Sequence, residues 1–399
     1  MPQVAGRRGR RVLDASLRSA RSRRARDGGR ALRGEQVAPL APHDGTGDAS
    51  GTVVPRTVST ILEQAVQLHE EGTQACLAVV VARSGSAPQV PGAKSLFLRN
   101  GRILGTIGGG CLEAECRRLG LEAMATGKAV LREFRLDDDF GWDDGLICGG
   151  RVQVLLLPNA ADYVPALRSA LEQRNGLLKY DLRTGAVSFL PRSGVAEDAG
   201  RLALRRRREV LTEEAFFEPI LPPERLVIFG AGHVGREIAR LGRFLGFHVT
   251  VVDDRADLLT EEALPDCDER VNLLPERYAA SLATDEDTYL CVVTRGHRND
   301  ARVLREVIRK PRAYLGMIGS RRKREVIRRE MVGEGLCTAE EFDAVQSPMG
   351  LDIGAESVEE IAIAIAAELV RVRSSKRGPY LARCPKPKPK TRQAPEPNV

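Results

Sequence analysis

The chain has 399 residues, of which 42% are hydrophobic, 29% charged and 4% aromatic, and its formal net charge is +7. This composition is typical of a globular protein with two or three domains. The eight cysteines form no C-x-x-C pair, which excludes a disulfide scaffold, a zinc ribbon and the usual iron–sulfur ligand sets. The longest apolar runs, such as Ala75 to Ala82 and Ile361 to Ala367, are far shorter than the roughly 20 residues that span a bilayer. We therefore expect a soluble, cytoplasmic protein with no membrane span.

The basic charge is concentrated at the two ends of the chain. Residues 1–34 hold eleven arginines and two aspartates, and residues 375–399 hold seven basic residues and one glutamate, so the rest of the chain is acidic. Because the charge lies in tails and aromatic side chains are few, we expect no nucleic-acid partner. We predict a disordered basic tail over residues 1–55, which we attribute to a start codon assigned too far upstream, and a disordered Lys- and Pro-rich tail over residues 374–399.

An N-terminal α/β domain is predicted over residues 56–160, from apolar periodicity and turn residues. The pattern predicts, in chain order, a helix that Gly72 terminates, a buried strand over 76–83, a hairpin about Asn100-Gly101, a helix over 112–126 and a strand over 151–157. Residues 161–223 are predicted to be a connecting region with a hairpin near Thr184-Gly185. Its last part, from Glu218 to Pro223, is predicted to be a proline-stiffened linker.

A Rossmann-like domain with a parallel sheet is predicted over residues 224–373. An apolar strand runs into Gly230-Ala231-Gly232-His233-Val234-Gly235, and a helix and a second strand ending at Asp253 follow. In this G-x-G-x-x-G context Gly230 makes the tight turn, Gly232 lets a pyrophosphate approach the backbone, and Gly235 lets helix and strand pack. Asp253 is expected to accept a hydrogen bond from a ribose hydroxyl. The pattern indicates a dinucleotide, NAD or NADP, unless the glycines serve packing alone.

Two further loops follow strands of this predicted sheet, where ligands bind in open parallel sheets. Arg295 and Arg321 are candidate phosphate clamps or solvated surface charges. His297 and Asp300 are candidate acid/base groups, with a histidine that braces the turn as the alternative. The final helix opens at Ser357 in a capping box and is apolar nearly all round, which predicts burial at a domain or homodimer interface.

The most unusual feature is a glycine-rich loop in the N-terminal domain. Gly108, Gly109 and Gly110 precede Cys111 at the start of a predicted helix. Successive backbone N–H groups in such a loop can bind an anion, and the helix dipole favours a thiolate at Cys111. A second cysteine beside glycines, Cys148, precedes a strand. The two cysteines are either ligands for a bulky group that needs a close backbone approach or small buried side chains in tight turns.

These segments resemble the XdhC/CoxI family, the accessory and maturation factors of xanthine dehydrogenase and carbon monoxide dehydrogenase. The similarity extends from about residue 57 to 373. It is carried by Gly85-Ser86-Ala87-Pro88, Pro91-Gly92-Ala93-Lys94, Ile107-Gly108-Gly109-Gly110-Cys111-Leu112-Glu113, Cys148-Gly149-Gly150, Phe229-Gly230-Ala231-Gly232-His233-Val234, Thr294-Arg295-Gly296-His297, Ile318-Gly319-Ser320-Arg321 and Pro348-Met349-Gly350-Leu351-Asp352-Ile353-Gly354-Ala355.

The resemblance implies a two-domain protein that binds molybdenum cofactor, protects its sulfurated form and delivers it to the apoenzyme of a molybdenum hydroxylase. Cys111 and Cys148 suit the soft, dithiolene-bound molybdenum. The glycines of the loop and Lys94 suit the terminal phosphate of the cofactor. The implied partners are the hydroxylase and, through sulfuration, a cysteine desulfurase.

Two other functions remain open at this point. One is an NAD(P)-dependent oxidoreductase with His297 as the acid/base group, and the other is a nucleotide-binding redox sensor. The dehydrogenase itself is disfavoured, because the cysteine spacing cannot hold the iron–sulfur clusters that such an enzyme needs.

Overall fold

Three β-sheets account for the strands in residues 60–87, 89–136 and 150–379, the part of the chain that the computed structural model describes. The first two sheets are antiparallel, and the third is parallel. We refer to them in chain order as the N-terminal, middle and Rossmann sheets. The predicted α/β fold class, with a Rossmann-like C-terminal domain, is confirmed.

The N-terminal sheet has the strand order β3-β2-β1-β5-β4. Its long central strand is buried on both faces, because helices cover the sheet on both sides. Two helices pack on one face and one on the other. The elements are α1 (Ile61–Glu70), β1 (Ala75–Ser84), β2 (Lys94–Leu98), β3 (Ile103–Gly105), α2 (Gly110–Thr126), β4 (Val130–Leu136), β5 (Gly150–Leu157) and α3 (Ala160–Gln173).

The middle sheet lies in the segment predicted as a connecting region. It has the order β7-β6-β9-β8, and the predicted hairpin near Thr184-Gly185 is confirmed by the β6–β7 pair. Its elements are β6 (Gly176–Asp181), β7 (Val187–Pro191), α4 (Asp198–Arg206), β8 (Val210–Leu211) and β9 (Ala215–Ile220).

The predicted linker from Glu218 to Pro223 is wrong in its first half. Glu218 and Pro219 belong to β9, which the buried Phe216 and Phe217 anchor in the protein core. Pro219 is tolerated because it lies past the end of the two-residue β8, where one side of β9 is an open edge. Burial of the strand outweighs the turn signal of the prolines.

The Rossmann sheet has the order β12-β11-β10-β13-β14, with every strand parallel. Parallel strands need crossovers, and the helices between them cover both faces of the sheet. The elements are β10 (Arg225–Phe229), α5 (His233–Phe244), β11 (His248–Asp253), β12 (Glu269–Asn272), α6 (Pro275–Ser281), β13 (Thr288–Val292), α7 (His297–Val307), β14 (Tyr314–Met317), α8 (Arg321–Gly333), α9 (Ala339–Asp343) and α10 (Val358–Arg377).

The last helix differs from its prediction in two ways. It runs to Arg377, past the predicted start of the C-terminal tail. It is buried on one side, while Ile363 is 52% and Val370 43% exposed, so it is not covered all round. The buried carboxylate of Glu224, directly before β10, holds its end through Arg373 at 2.8 Å and Arg377 at 3.1 Å. These ion pairs explain why the helix continues.

Candidate functional site

The glycine-rich loop lies at one end of the N-terminal sheet, which we call the loop end. Strand β3 ends there at Gly105, opposite Ser95, and the loop leads directly into α2. At the same end β1 finishes opposite the first residues of β5, and the last residue of β4, Leu136, pairs with Gly150. Residues 137–149, which include Cys148, connect these two positions but lie outside the described residues. Both predicted cysteine segments are therefore attached at the loop end.

The backbone of the loop requires glycine. Gly108, Gly109 and Gly110 have φ values of 138°, 73° and 50°, a region that side chains with a Cβ rarely adopt. At Gly109 and Gly110 a Cβ would meet nothing within 4 Å. These two glycines therefore face open space, and a ligand can approach the main chain there.

An internal carboxylate already occupies part of the predicted anion site. One oxygen of Glu113 accepts hydrogen bonds from the Thr106 hydroxyl at 2.7 Å and from the N–H groups of Ile107 at 3.1 Å and Gly109 at 3.2 Å. The N–H groups of Gly110 and Cys111 have no acceptor among the described residues. An incoming anion therefore meets the first turn of α2 and not the whole loop.

Cys111 is the second residue of α2 and is half-buried. The Glu113 carboxylate offsets part of the positive end of the helix dipole, and the N–H groups of Gly110 and Cys111 stay available next to the thiol. The neighbouring Cys116 is fully buried, and burial raises the pKa of its thiol far above the ordinary value. Cys111 is thus the accessible thiol of this helix.

Lys94 does not face an open anion site. Its ammonium group forms a buried ion pair with Glu218 and donates a hydrogen bond to the Gly92 carbonyl at 2.9 Å. The other oxygen of Glu218 accepts from the Tyr180 hydroxyl at 2.8 Å. Glu209 lies beside this pair, and burial raises the pKa of its carboxyl. We correct the prediction that Lys94 binds the cofactor phosphate, because its charge is used inside the protein.

The glycine motif of the Rossmann domain has the predicted geometry. Gly230 has a φ of 125°, and a Cβ there would lie 2.4 Å from the Val293 carbonyl oxygen. A Cβ on Gly235 would lie 2.0 Å from the Gly230 carbonyl oxygen, so this glycine allows α5 to pack on the turn. At Gly232 a Cβ would meet nothing within 4 Å. Two of the three glycines thus serve packing, and the third faces open space.

Asp253 holds the glycine turn from the tip of β11. Its carboxylate accepts from the Ala231 N–H at 2.7 Å and from two guanidinium nitrogens of Arg255 at 2.9 and 2.8 Å. Although burial alone would raise its pKa, the bonds from Arg255 and Ala231 lower the pKa to about 2. Both oxygens are used, so the predicted bond to a ribose hydroxyl would have to displace one of these donors.

The predicted His297–Asp300 pair is not formed. His297 is exposed at the start of α7, whereas Asp300 is fully buried. Asp300 pairs with Lys323 and accepts from the Thr294 hydroxyl at 2.6 Å. Burial raises the pKa of Asp300, and its bonds to Lys323 and Thr294 oppose that shift. The buried carboxylate therefore holds the β13–α7 loop at Thr294 and links it to Lys323 of α8.

Arg295 and Arg321 are exposed at the carboxyl edge of the Rossmann sheet, because each lies in the segment that follows a strand and leads into a helix. Neither guanidinium has a partner among the described residues. The predicted phosphate-clamp role stays a prediction.

The described residues contain no cluster of three or more His, Cys, Asp and Glu side chains that is arranged to hold a metal ion. Among the same residues, no helix has the length and apolar character of a membrane span.

Glu113 is the site residue that sequence reasoning missed as a functional group. The signal was present as an acidic residue in the first turn of a helix that follows three glycines. Acidic side chains in that position are stabilised by the helix dipole and by free N–H groups.

Two family models match separate parts of the chain. The model described as the XdhC and CoxI family matches residues 68–135, and the model described as the XdhC Rossmann domain matches residues 226–369. Together they cover more than half of the chain. The first match contains the glycine-rich loop with Cys111, and the second contains the glycine motif.

This chain is similar to several bacterial proteins over most of their length. A protein of Bacillus subtilis described as a probable component of xanthine dehydrogenase is 27% identical over 77% of this chain and 95% of its own. The molybdenum cofactor insertion chaperone PaoD of Escherichia coli is 26% identical over 79% of this chain and 88% of its own. The crystal structure of a xanthine dehydrogenase from Bacillus halodurans has a TM-score of 0.61 at 24% identity, covering 78% of this chain and 95% of the other. This last match concerns the fold alone.

Proposed function

The chain belongs to the XdhC and CoxI family, and from that premise we propose that it binds molybdenum cofactor and delivers it to a molybdenum hydroxylase such as xanthine dehydrogenase or carbon monoxide dehydrogenase. The observation that carries the proposal is the similarity to a molybdenum cofactor insertion chaperone over 79% of this chain. The cofactor is cargo in this role, so the protein is a maturation factor that needs no catalytic residue of its own.

The glycine-rich loop supports cargo binding at the loop end. Cys111 offers a soft ligand of the kind that suits dithiolene-bound molybdenum. The N–H groups of Gly110 and Cys111 offer donors to an oxygen of the cargo. Cys148, which lies outside the described residues, is proposed as a second ligand because its segment is attached at the same end of the sheet.

In this proposal the Rossmann domain does not bind NAD(P). The carboxylate of Asp253 is held by Ala231 and Arg255, which disfavours the bond to ribose that dinucleotide recognition uses. The exposed Arg295 and Arg321 are free to contact the hydroxylase or an anion. The oxidoreductase alternative loses support for a second reason, since His297 has no carboxylate partner in Asp300.

We place this activity in the cytoplasm. All six cysteines among the described residues are free thiols, as expected in a reducing compartment. The homodimer and the cysteine desulfurase partner stay predictions of the sequence.

The test is cofactor retention by the full-length protein. Purified protein is incubated with molybdenum cofactor, passed through a desalting column and assayed for molybdenum and pterin. We expect stoichiometric retention by the wild type and a loss of at least about tenfold in Cys111→Ala, since a metal–thiolate contact is removed. Cys337→Ala, a buried cysteine of the Rossmann domain, is the matched control and should retain cofactor. Retention that is equal in Cys111→Ala, Cys148→Ala and the control would remove the cysteines from the proposed site.

A further inference from the structure

Helices α7 and α8 of the Rossmann domain carry matched charges along most of their length. Beyond the first two positions of each helix, every arginine has a carboxylate of a described residue within 4.0 Å. Arg305 of α7, for example, contacts Glu330 at 2.8 Å and Glu334 at 2.9 Å on α8. The other paired arginines are Arg302, Arg324, Arg328 and Arg329.

This charge balance is missing at the N-terminal ends of the same two helices. Arg298 is the second residue of α7, Arg321 and Arg322 are the first two residues of α8, and Arg295 lies in the loop directly before α7. All four side chains are exposed, and none has a hydrogen bond or ion pair with a described residue. We call these four residues the arginine edge.

The position of these arginines is unfavourable for the helices themselves. The N-terminus of a helix carries a partial positive charge, so a cation there lowers helix stability and an anion raises it. Helices α9 and α10 of the same domain follow this rule, with two glutamates each in their first turns. In α8 the first turn has no acidic residue, and in α7 the acidic residue is the buried Asp300. A partner with negative charges would offset both the dipoles and the repulsion among the arginines.

A buried ion pair fixes the two halves of the arginine edge relative to each other. Asp300 of α7 accepts hydrogen bonds from the Thr294 N–H at 3.1 Å and from the Thr294 hydroxyl at 2.6 Å. Its ion-pair partner on α8, Lys323, also donates to the Ile318 carbonyl at 3.0 Å. One pair therefore ties together both loops that carry the edge. Such preorganisation reduces the entropy that is lost when a partner binds.

The spread of the arginine edge fits a surface with several carboxylates. Helices α7 and α8 pack against each other, and the axes of packed helices lie about 8–10 Å apart. One phosphate cannot contact four guanidinium groups that start from two such helices, whereas separate carboxylates each accept paired hydrogen bonds from one arginine. Residues 293–300 and 318–323 include no aromatic side chain, so the edge lacks the stacking platform that single-stranded nucleic acid uses.

We propose that the arginine edge is the docking surface for an acidic patch on the hydroxylase apoenzyme that receives the cofactor. This inference rests on the delivery function proposed above and adds the surface through which the partner is recognised. Opposite charges increase the rate of encounter and fix the orientation of two proteins more than they increase affinity. That behaviour suits a carrier that must bind its partner, transfer its cargo and leave.

The experiment measures binding of the full-length protein to a hydroxylase apoenzyme by surface plasmon resonance at several ionic strengths. The test variant is Arg298→Glu/Arg322→Glu, with one substitution on each helix. We expect its Kd to rise at least about tenfold, because two attractions become repulsions. The same variant should resist urea as well as the wild type or better, because glutamate is favourable at a helix N-terminus. A purely structural role of these arginines predicts the opposite change in stability.

The matched control is Arg302→Glu/Arg329→Glu, which makes the same charge change on the same two helices. These side chains are 59% and 72% exposed, and the Kd of this variant should equal that of the wild type. Equal weakening in the two variants would overturn the proposal, because binding would then follow net charge. It would also be overturned by wild-type binding that salt does not weaken, or by displacement of the apoenzyme by inorganic phosphate at constant ionic strength.

Cofactor retention distinguishes failure of docking from failure of delivery. The test variant should retain molybdenum cofactor as the wild type does and activate the apoenzyme less. If the wild type retains no cofactor but binds the apoenzyme through the arginine edge, the docking proposal stands and the delivery function fails. If the wild type retains cofactor and the test variant binds the apoenzyme as tightly as the wild type does, the docking proposal is wrong and the delivery function is unaffected.

Discussion

Replacement of Lys94 by methionine tests whether this residue is structural or a ligand for cargo. Its ammonium group and the carboxylate of Glu218 are 8% and 11% exposed, and Tyr180 donates to the second oxygen of Glu218. Glu209 lies close by. Methionine preserves the length and apolar stem of the lysine but leaves two carboxylates near each other without their cation.

The loss of one partner from a buried ion pair costs about 3–5 kcal/mol, because an uncompensated charge stays inside. Lys179 is the matched control, since its pair with Glu197 at 2.7 Å is 31% and 47% exposed. Exposed pairs contribute about 0–1 kcal/mol. We therefore expect Lys94→Met to lower the free energy of unfolding by several kcal/mol more than Lys179→Met does, measured by urea denaturation.

A second substitution separates charge from packing. Lys94→Met combined with Glu218→Gln removes the unpaired carboxylate and keeps an acceptor for Tyr180, so part of the lost stability should return. The double variant should also retain molybdenum cofactor as the wild type does. Equal costs for Lys94→Met and Lys179→Met would refute this reasoning, and so would specific loss of cofactor from a stable double variant.

Three further predictions concern the two glycine turns. The pKa of Asp253 is about 2, below its ordinary 3.8, so its stabilisation is present above pH 4 and is lost as the pH falls toward 2. Asp253→Asn should therefore lower the free energy of unfolding by about 2 kcal/mol at pH 7 and by less at pH 3. The control Asp254→Asn changes an exposed side chain and should lower it little at either pH. A loss of stability in Asp253→Asn that does not depend on pH would contradict this. Glu113→Ala should speed maleimide modification of the Cys111 thiol several-fold, because the loop loses three hydrogen bonds. Glu113→Gln should be modified at a rate closer to that of the wild type. Identical rates in all three proteins would contradict the conclusion that Glu113 holds the loop. Titration with NADH should give no saturable fluorescence change, since Asp253 is occupied by Arg255, and saturable binding would reverse that interpretation.

Local sequence patterns were enough to predict an element when one short segment determines its own structure. The helix ending at Gly72, the hairpin at Asn100-Gly101 and the glycine turn at Gly230 follow from capping, turn geometry and close approach, and all are present. Strand β4 was missed because most of its residues, from Val130 to Leu136, are polar or at most half-buried, so no buried apolar run marks it. The pairing with β5 creates that strand, and pairing is a property of the whole sheet.

The candidate site could be predicted only in part for the same reason. The sequence indicated that Cys111 begins a helix after glycines, and the structure has it there. The partners of charged residues depend on distant segments, as Glu218 lies 124 residues from Lys94 and Lys323 lies 23 residues from Asp300. The sequence shows the charge of a side chain but not its partner. It therefore predicted functional roles for side chains that form ion pairs inside the folded protein.

The central claim is delivery of the cofactor, and the most direct measurement is the activation of a molybdenum hydroxylase apoenzyme by the loaded protein. The full-length chain is loaded with sulfurated molybdenum cofactor, desalted and mixed with the apoenzyme, and the recovered activity is measured per mole of molybdenum. We predict more activity than an equal amount of free cofactor gives, and a loss of that advantage in Cys111→Ala. Activation no better than that by free cofactor, from a protein that demonstrably retains its cargo, would contradict the account.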